Sequence, residues 1–341
     1  MKKYLLPENG SFYKANLHCH STFSDGRLSP EQIKEAYMDK GYSIVAYTDH
    51  DLFLPHPELN EEKFLALHGY EMEINEPKEE PFEFIKTCHM CFIALDPDTV
   101  NQACYHRTKG LFGNARNFGH LIKFDESLPD FEREYTPERI SEMMKTGRDS
   151  GFFVTYNHPG WSMEEKEQYC NYHGMHAMEI CNYGCFVNGY TDYNEKEYDQ
   201  MLRGGERIFC IAADDNHNFN PLTSFYSDSF GGFTMIKADK LEYKCITDAL
   251  LAGNFYASQG PEINELWIED GKIHITCSDA VKIILNTATR RTGIVYSEDK
   301  PLNGASFPIS KECGYVRLTV VDKTGKKAAT NAYFTDEILE G

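Results

Sequence analysis

The chain reads as an α/β protein built mainly on parallel strands and followed by a small antiparallel β-sandwich. Three observations predict this. Up to about Ala238, short apolar runs alternate with helical stretches, the pattern of repeated β-α units. After Leu251-Ala252-Gly253 the texture changes to short alternating runs punctuated by turns, the pattern of a sandwich. The length of 341 residues accommodates one α/β barrel with a small appended domain. The expected division is 1–260 for the barrel and 261–341 for the sandwich.

The first strand ends in Asn16-Leu17-His18-Cys19-His20. Side chains alternate along a strand, so His18 and His20 share a face while Leu17 and Cys19 occupy the other. Ser29-Pro30-Glu31 supplies an N-cap, a first-turn proline and an early acid for a helix to about Lys40, which Gly41 ends. The strand Ser43–Tyr47 then delivers Thr48-Asp49-His50-Asp51. Phe64 to Leu67 runs into Gly69-Tyr70-Glu71, and Phe84 to Leu95 carries His89. Residues 96–134 lack a strong period and read as an insertion near the mouth of a site, with Arg107, Arg116 and His120 as candidate substrate contacts. Thr136-Pro137-Glu138 opens another helix, ending near Gly147 to Gly151. Phe152–Tyr156 delivers Asn157-His158-Pro159, Ala177–Cys181 is a further short strand, and Ile208–Ala213 delivers Asp214-Asp215-Asn216-His217. The sandwich strands are Ile263–Glu269, Lys272–Cys277, Val281–Leu285, Gly293–Tyr296 and Tyr315–Val321, with turns at Asp270-Gly271 and Lys323-Thr324-Gly325.

A net charge of −19 argues against a nucleic-acid polymer or an anionic membrane as partner, since both require basic surface. No apolar run has the length of a signal peptide or a bilayer span, and eleven cysteines scattered through apolar stretches suit a reducing compartment, so the expected location is cytoplasmic. Cys88-His89-Met90-Cys91 has no second Cys-x-x-Cys to complete a zinc site and lies inside a strand-like run. It reads as buried structure.

In parallel β-α folds the C-terminal strand ends form the active face, and here five strand ends carry histidine or acid. His18-Cys19-His20 with Asp25, Thr48-Asp49-His50-Asp51, Gly69-Tyr70-Glu71, His89, Asn157-His158-Pro159 and Asp215-Asn216-His217 resemble, in that order, the motifs of the PHP (polymerase and histidinol phosphatase) family over about residues 14–260. The resemblance implies a distorted seven-stranded β/α barrel holding two to three divalent ions. His18, His20, Glu71 and Asp215 hold the first, and Glu71 bridges to a second held by His89 and His158. Asp25, His50 and His217 hold the third. Imidazole and carboxylate donors suit manganese, zinc or iron. Glu73, on the same strand face as Glu71, is the rival acid for the bridge, while Asp49, Asp51 and Asp214 read as supporting groups or caps.

The implied chemistry is hydrolysis of a small phosphate ester by water activated between the metals, with Glu71, His89 and Asp215 acting through that activated water. The cations also explain how so acidic a chain captures an anion. The family branch with a C-terminal sandwich includes hydrolases of aryl carbamates, so the alternative is a carbamate, amide or carboxylic ester hydrolase on the same metals. A non-catalytic metal-binding interaction protein is a third reading, opposed by a ligand set too large for a closed structural site.

Overall fold

The computed structural model describes residues 2–339. Along the chain, β1 (Lys3–Tyr4) is followed by β2 (Ser11–Asn16), β3 (Ile44–Tyr47), β4 (Leu65–Asn75), β5 (Thr87–Ala94), β6 (Phe152–Tyr156), β7 (Ala177–Asn182), β8 (Phe209–Ala213), β9 (Phe233–Ala238) and β10 (Phe255–Ser258). The C-terminal part adds β11 (Ile263–Glu269), β12 (Lys272–Ala280), β13 (Lys282–Thr287), β14 (Gly293–Tyr296), β15 (Leu302–Pro308), β16 (Tyr315–Val321), β17 (Lys327–Thr330) and β18 (Tyr333–Phe334).

Two of the longer helices start where their caps direct. Pro30–Asp39 opens on a capping box, with Ser29 Oγ accepting from the Gln32 N–H and Gln32 Oε1 accepting from the Ser29 N–H. Pro137–Asp149 is capped by Thr136, which accepts from the Arg139 N–H. Between them, the insertion contains only short turns at Ala115–Phe118 and Gly119–Leu121.

One sheet runs in the order β14-β13-β16-β17-β10-β9-β2-β3-β4-β5-β6-β7-β8, with β18 paired to β16. Its pairing is mixed. The pairs β2–β3, β3–β4, β6–β7 and β7–β8 are parallel, whereas β4–β5, β5–β6, β2–β9 and β9–β10 are antiparallel. The β4–β5 reversal has a simple cause. Residues 76–86 cannot supply the crossover of about a dozen or more residues that parallel pairing needs.

The sheet curls around one apolar cluster to which every strand from β2 to β9 contributes, among them Ala15, Ile44, Leu67, Ile93, Phe153, Ala177, Ile211 and Ile236. The distorted seven-stranded barrel that the resemblance implies is not seen as a closed ring among the described residues. Eight strands line the curl, and among the described residues no ladder joins β8 to β2 or β9. The gap is spanned by side-chain and single-bridge contacts instead. Thr234 Oγ1 accepts from the Ala212 N–H and donates to its carbonyl, and the His20 N–H donates to the Asn216 carbonyl at 3.1 Å.

The C-terminal part is joined to this sheet rather than merely tethered to it, because β10 pairs with β17 on one side and β9 on the other. A second sheet, β1-β11-β12-β15, shares an apolar core with the far end of the large one through Ile263, Leu266, Ile275, Phe307, Val316 and Leu318. Across the joint, the buried Arg317 of β16 makes a two-pronged ion pair with Asp199 of the helix Glu195–Gly204, at 2.8 and 2.7 Å.

Candidate metal centre

The nine residues singled out as ligands converge on one rim of the curled sheet. His18 and His20 lie just past the end of β2, His50 just past β3, His158 past β6, and Asp215 and His217 past β8. Because β5 runs antiparallel, His89 near its start reaches the same rim. Registry does the rest: Glu73 stands opposite His89 and Glu71 opposite Cys91 in the β4–β5 ladder, so all four side chains share a face.

Glu71 is the hub. One or other of its oxygens lies 3.2 Å from His18, 3.4 Å from His20, 3.2 Å from His50, 3.2 Å from His89 and 3.4 Å from His158. Of these histidines Glu73 meets only His89, at 3.4 Å. Asp215 approaches His18 at 3.2 Å and His20 at 3.0 Å, while Asp25 approaches His217 at 3.4 Å and His50 at 3.8 Å. Two four-membered groups have potential ligand atoms within 4.8 Å of one another: His18, His20, Glu71 and Asp215, and His20, Asp25, His50 and His217. His89 groups with His50 and Glu71, whereas His158 groups with His18 and Glu179 rather than with His89.

Tautomers favour a site open to cations. His18 Nδ1 bonds the Glu179 carboxylate at 2.7 Å, so with a cation bound the proton would stay on Nδ1 and Nε2, which faces Glu71 and Asp215, would be the ligand atom. His217 Nδ1 donates to the Asp215 carbonyl at 3.0 Å, and Nε2 faces Asp25. The Nε2 atoms of His18 and His20 stand 3.1 Å apart. His20 Nδ1, His50 Nδ1 and His89 Nε2 are buried without a hydrogen-bond partner, an arrangement that polar atoms in a protein interior rarely tolerate. Nitrogen lone pairs and carboxylates around one point are the donor set divalent transition metals require.

Electrostatics records the same crowding. Burial disfavours the His20 cation, but hydrogen bonds with Asp215 and Glu71 outweigh it and lift the pKa to about 10. His89 is likewise lifted to about 10 against its burial, by Glu71 and Glu73. Burial and the neighbouring His20 push His50 down to about 3. Glu71 is held well below the usual carboxylate range, since the imidazoles of His18, His89 and His50 overcome its burial.

A second layer fixes these groups. Asp49 accepts from the N–H and Oγ of both Ser21 and Ser24, pinning the loop that presents Asp25. Asp214 accepts from the N–H groups of Phe230, Gly231 and Gly232 and from the Tyr37 hydroxyl, and its burial pushes its pKa up to about 6. Asp51 is ion-paired with Arg133. His158 and Asp215 have φ of +28° and +53°, so backbone strain is held at two candidate ligands. Glu179 was not among the residues singled out. A lone acid in the apolar run Ala177–Asn182 gives a weak signal, and its burial opposite His18 is visible only in three dimensions.

The cluster opens into a cavity of about 530 Å³ lined by candidate ligands and by Phe82, Phe112, Trp161, Phe219 and Tyr226. Of the insertion, Phe112 reaches this wall, but the three expected substrate contacts do not. Arg107 is tied to Asp130 and to the carbonyls of Glu126 and Leu128. Arg116 bonds the Leu111 carbonyl and lines a neighbouring cleft of about 390 Å³. His120 lies exposed in the turn Gly119–Leu121. The guanidinium charges in this insertion are engaged by its own turns or face that cleft.

No protein-family model matches the chain. A stretch of 41 residues is 49% identical to the DNA polymerase/3'-5' exonuclease PolX of Bacillus subtilis, covering 12% of this chain and 7% of that one. Among solved structures, the chain is similar to a two-domain protein from Bacteroides vulgatus containing a predicted PHP-like metal-dependent phosphoesterase. That similarity has 16% identity, a TM-score of 0.47, and coverage of 96% of this chain and 98% of that one. An amidohydrolase from Chromobacterium violaceum, with bound sulfate and no metal, is similar at 13% identity and a TM-score of 0.35, over 60% of this chain and 87% of that one. At these identities and TM-scores, the site residues themselves carry the functional reading.

Proposed function

We propose that this chain is a PHP-type metal-dependent hydrolase acting on a small phosphate ester. The observation that carries the reading is the convergence of six histidines and three carboxylates on one rim that opens into a cavity, with three buried ring nitrogens that make no hydrogen bond. His18, His20, Glu71 and Asp215 would hold one divalent ion, and Asp25, His50 and His217 another. Glu71, with His89 and His158, would hold a third and link it to the first. Bound there, manganese, iron or zinc supplies Lewis acidity and an activated water.

The chain's own contribution is positioning. Glu179 holds His18 in one tautomer, and Asp49 and Asp214 brace the loops that carry Asp25 and Asp215. Asn157 donates to Glu71 Oε1 at 3.0 Å, leaving that carboxylate less free to rotate away. All nine residues fall within 1–260, which we take as the catalytic part, with 261–341 as its appended domain. The eleven cysteines are free thiols, in keeping with a cytoplasmic protein, and among the described residues no helix is long and apolar enough to cross a membrane.

The test is metal analysis of protein purified without chelator, followed by assay against phosphate monoesters, phosphate diesters and carbamates. Two to three transition-metal ions per chain and turnover of a monoester are expected. A stoichiometry near zero that manganese, iron and zinc fail to restore refutes the reading. Hydrolysis of carbamates alone establishes the second reading, which the apolar walls of the cavity favour.

A further inference from the structure

The cavity walls have a composition that the proposed chemistry does not require. Phe82 from the β4–β5 connection and Trp161 from the loop after β6 form one side, with ring centroids 6.1 Å apart. Phe112 closes in over His50 at 4.8 Å, and Phe219 lies parallel to the His217 ring at 5.9 Å and 10°. Tyr226 completes the wall. These rings come from four separate segments. Phe82, Phe219 and Tyr226 are 44, 60 and 63% exposed, so large apolar surface is held in water around the mouth of one site, the usual mark of a surface that binds something.

The charged part of the lining is equally one-sided. Among the described residues no lysine or arginine lines the cavity; of its outer carboxylates, Glu73 meets only a histidine, His89 at 3.4 Å, and Asp228 is held by backbone N–H groups. Asp228 spends its oxygens on the N–H groups of His217 and Asn218. Arg133 faces the neighbouring cleft and is engaged by Asp51 and the Glu73 carbonyl, and the Arg27 guanidinium, outside the lining, is stacked over the Phe219 ring at 4.7 Å. Beyond the His/Asp/Glu cluster, a second phosphate or a carboxylate on the substrate would therefore lie against acids and aromatic faces, with no lysine or arginine of the lining to neutralise it. An uncharged aromatic group fits the same walls by stacking and edge contacts, and the volume lies in the range of small-molecule sites.

We propose that the substrate carries one reacting head group, bound at the His/Asp/Glu cluster, on an uncharged aromatic remainder held between Phe82, Phe112, Trp161, Phe219 and Tyr226. The inference rests on the hydrolase reading only for what the head group is. The walls select for ring over charge.

Non-hydrolysable probes separate the two questions. Trp161 and Trp267 are the two tryptophans, and Trp267 stacks on His274 in the C-terminal sheet, so Trp267→Phe leaves Trp161 as a fluorescent reporter in the cavity wall. On that manganese-loaded full chain, benzylphosphonate should bind at least tenfold more tightly than methylphosphonate, and phosphonoacetate no more tightly than methylphosphonate. Phe82→Ala or Tyr226→Ala should narrow the benzyl-to-methyl ratio threefold or more. Binding of benzyl N-methylcarbamate with no binding of any phosphonate would refute the phosphate-ester reading while upholding the aromatic pocket. Equal or tighter binding of methylphosphonate or phosphonoacetate, or no response to any benzyl ligand, overturns the inference.

Discussion

Glu164 offers a sharp test of the interior beside the site, because its carboxyl is almost fully buried with no cation bonded to it. Tyr135 donates to Oε1 at 2.8 Å, Tyr156 donates to Oε2 at 2.6 Å, and Tyr172 also donates to Oε1. Burial outweighs these three hydroxyls and raises the pKa from 4.5 to about 7. A carboxyl whose folded pKa lies above its unfolded value binds more protons in the native state, so stability falls as pH rises between the two values. At about 1.4 kcal/mol per unit, the loss is on the order of 3 kcal/mol, absent below about pH 4 and complete above about pH 8. Glu164→Gln cannot ionise and lacks this slope. The assay is urea unfolding of chelated wild type and variant at several pH values, comparing the difference between them so that every other titration cancels. The variant should gain about 3 kcal/mol relative to wild type from pH 4 to pH 8. A difference constant to within about 1 kcal/mol would mean that Glu164 ionises in its ordinary range, and the account of its burial would be wrong.

Other perturbations read the metal centre and the joint. Glu71→Gln should lose bound metal and nearly all turnover, whereas Glu73→Gln, which among the candidate ligands touches His89 alone, should retain most of both; elemental analysis beside steady-state assay decides, and the reverse order would make Glu73 the bridge. Glu179→Gln should weaken metal affinity about 10- to 100-fold through misorientation of His18, read by competition with a chelating dye. Arg317→Ala leaves Asp199 without its partner at the joint and should cost about 3–5 kcal/mol of stability, measured by denaturant midpoint with circular dichroism intact at zero denaturant.

The strands bearing His18, His50, Glu71, His89, His158 and Asp215 were legible because each sits in or ends a short apolar run, and the two helices because Ser29-Pro30 and Thr136-Pro137 are unambiguous starts. The antiparallel setting of β5 was also written in the chain, in the shortness of residues 76–86, but a count of alternating elements hides it. Other features were not legible. β15, Leu302–Pro308, has glycine and polar residues where alternation should be, and its place comes from pairing with β12. The partnership of β17 with β10 joins Lys327–Thr330 to a strand some seventy residues earlier, and only topology reveals it. Arg107 looked available because local turns that consume guanidinium donors through Glu126 and Leu128 carbonyls leave no mark in composition. Glu179 and the aromatic wall depend on residues from distant segments meeting, which no spacing encodes.

The ladder between β10 and its two neighbours has a mechanical consequence. A hinge needs a few residues free to change backbone angles between otherwise rigid bodies, but the junction after Ser258 is flanked by strands paired on both sides and braced by Ser258 Oγ donating to the Pro261 carbonyl at 2.7 Å. Bending at that junction would have to break strand pairing, so it is poorly suited to act as a hinge. Exclusion of water during turnover then falls to the loops that bear Phe82, Phe112, Phe219 and Tyr226, whose opening and closing is loop motion rather than the swing of a domain.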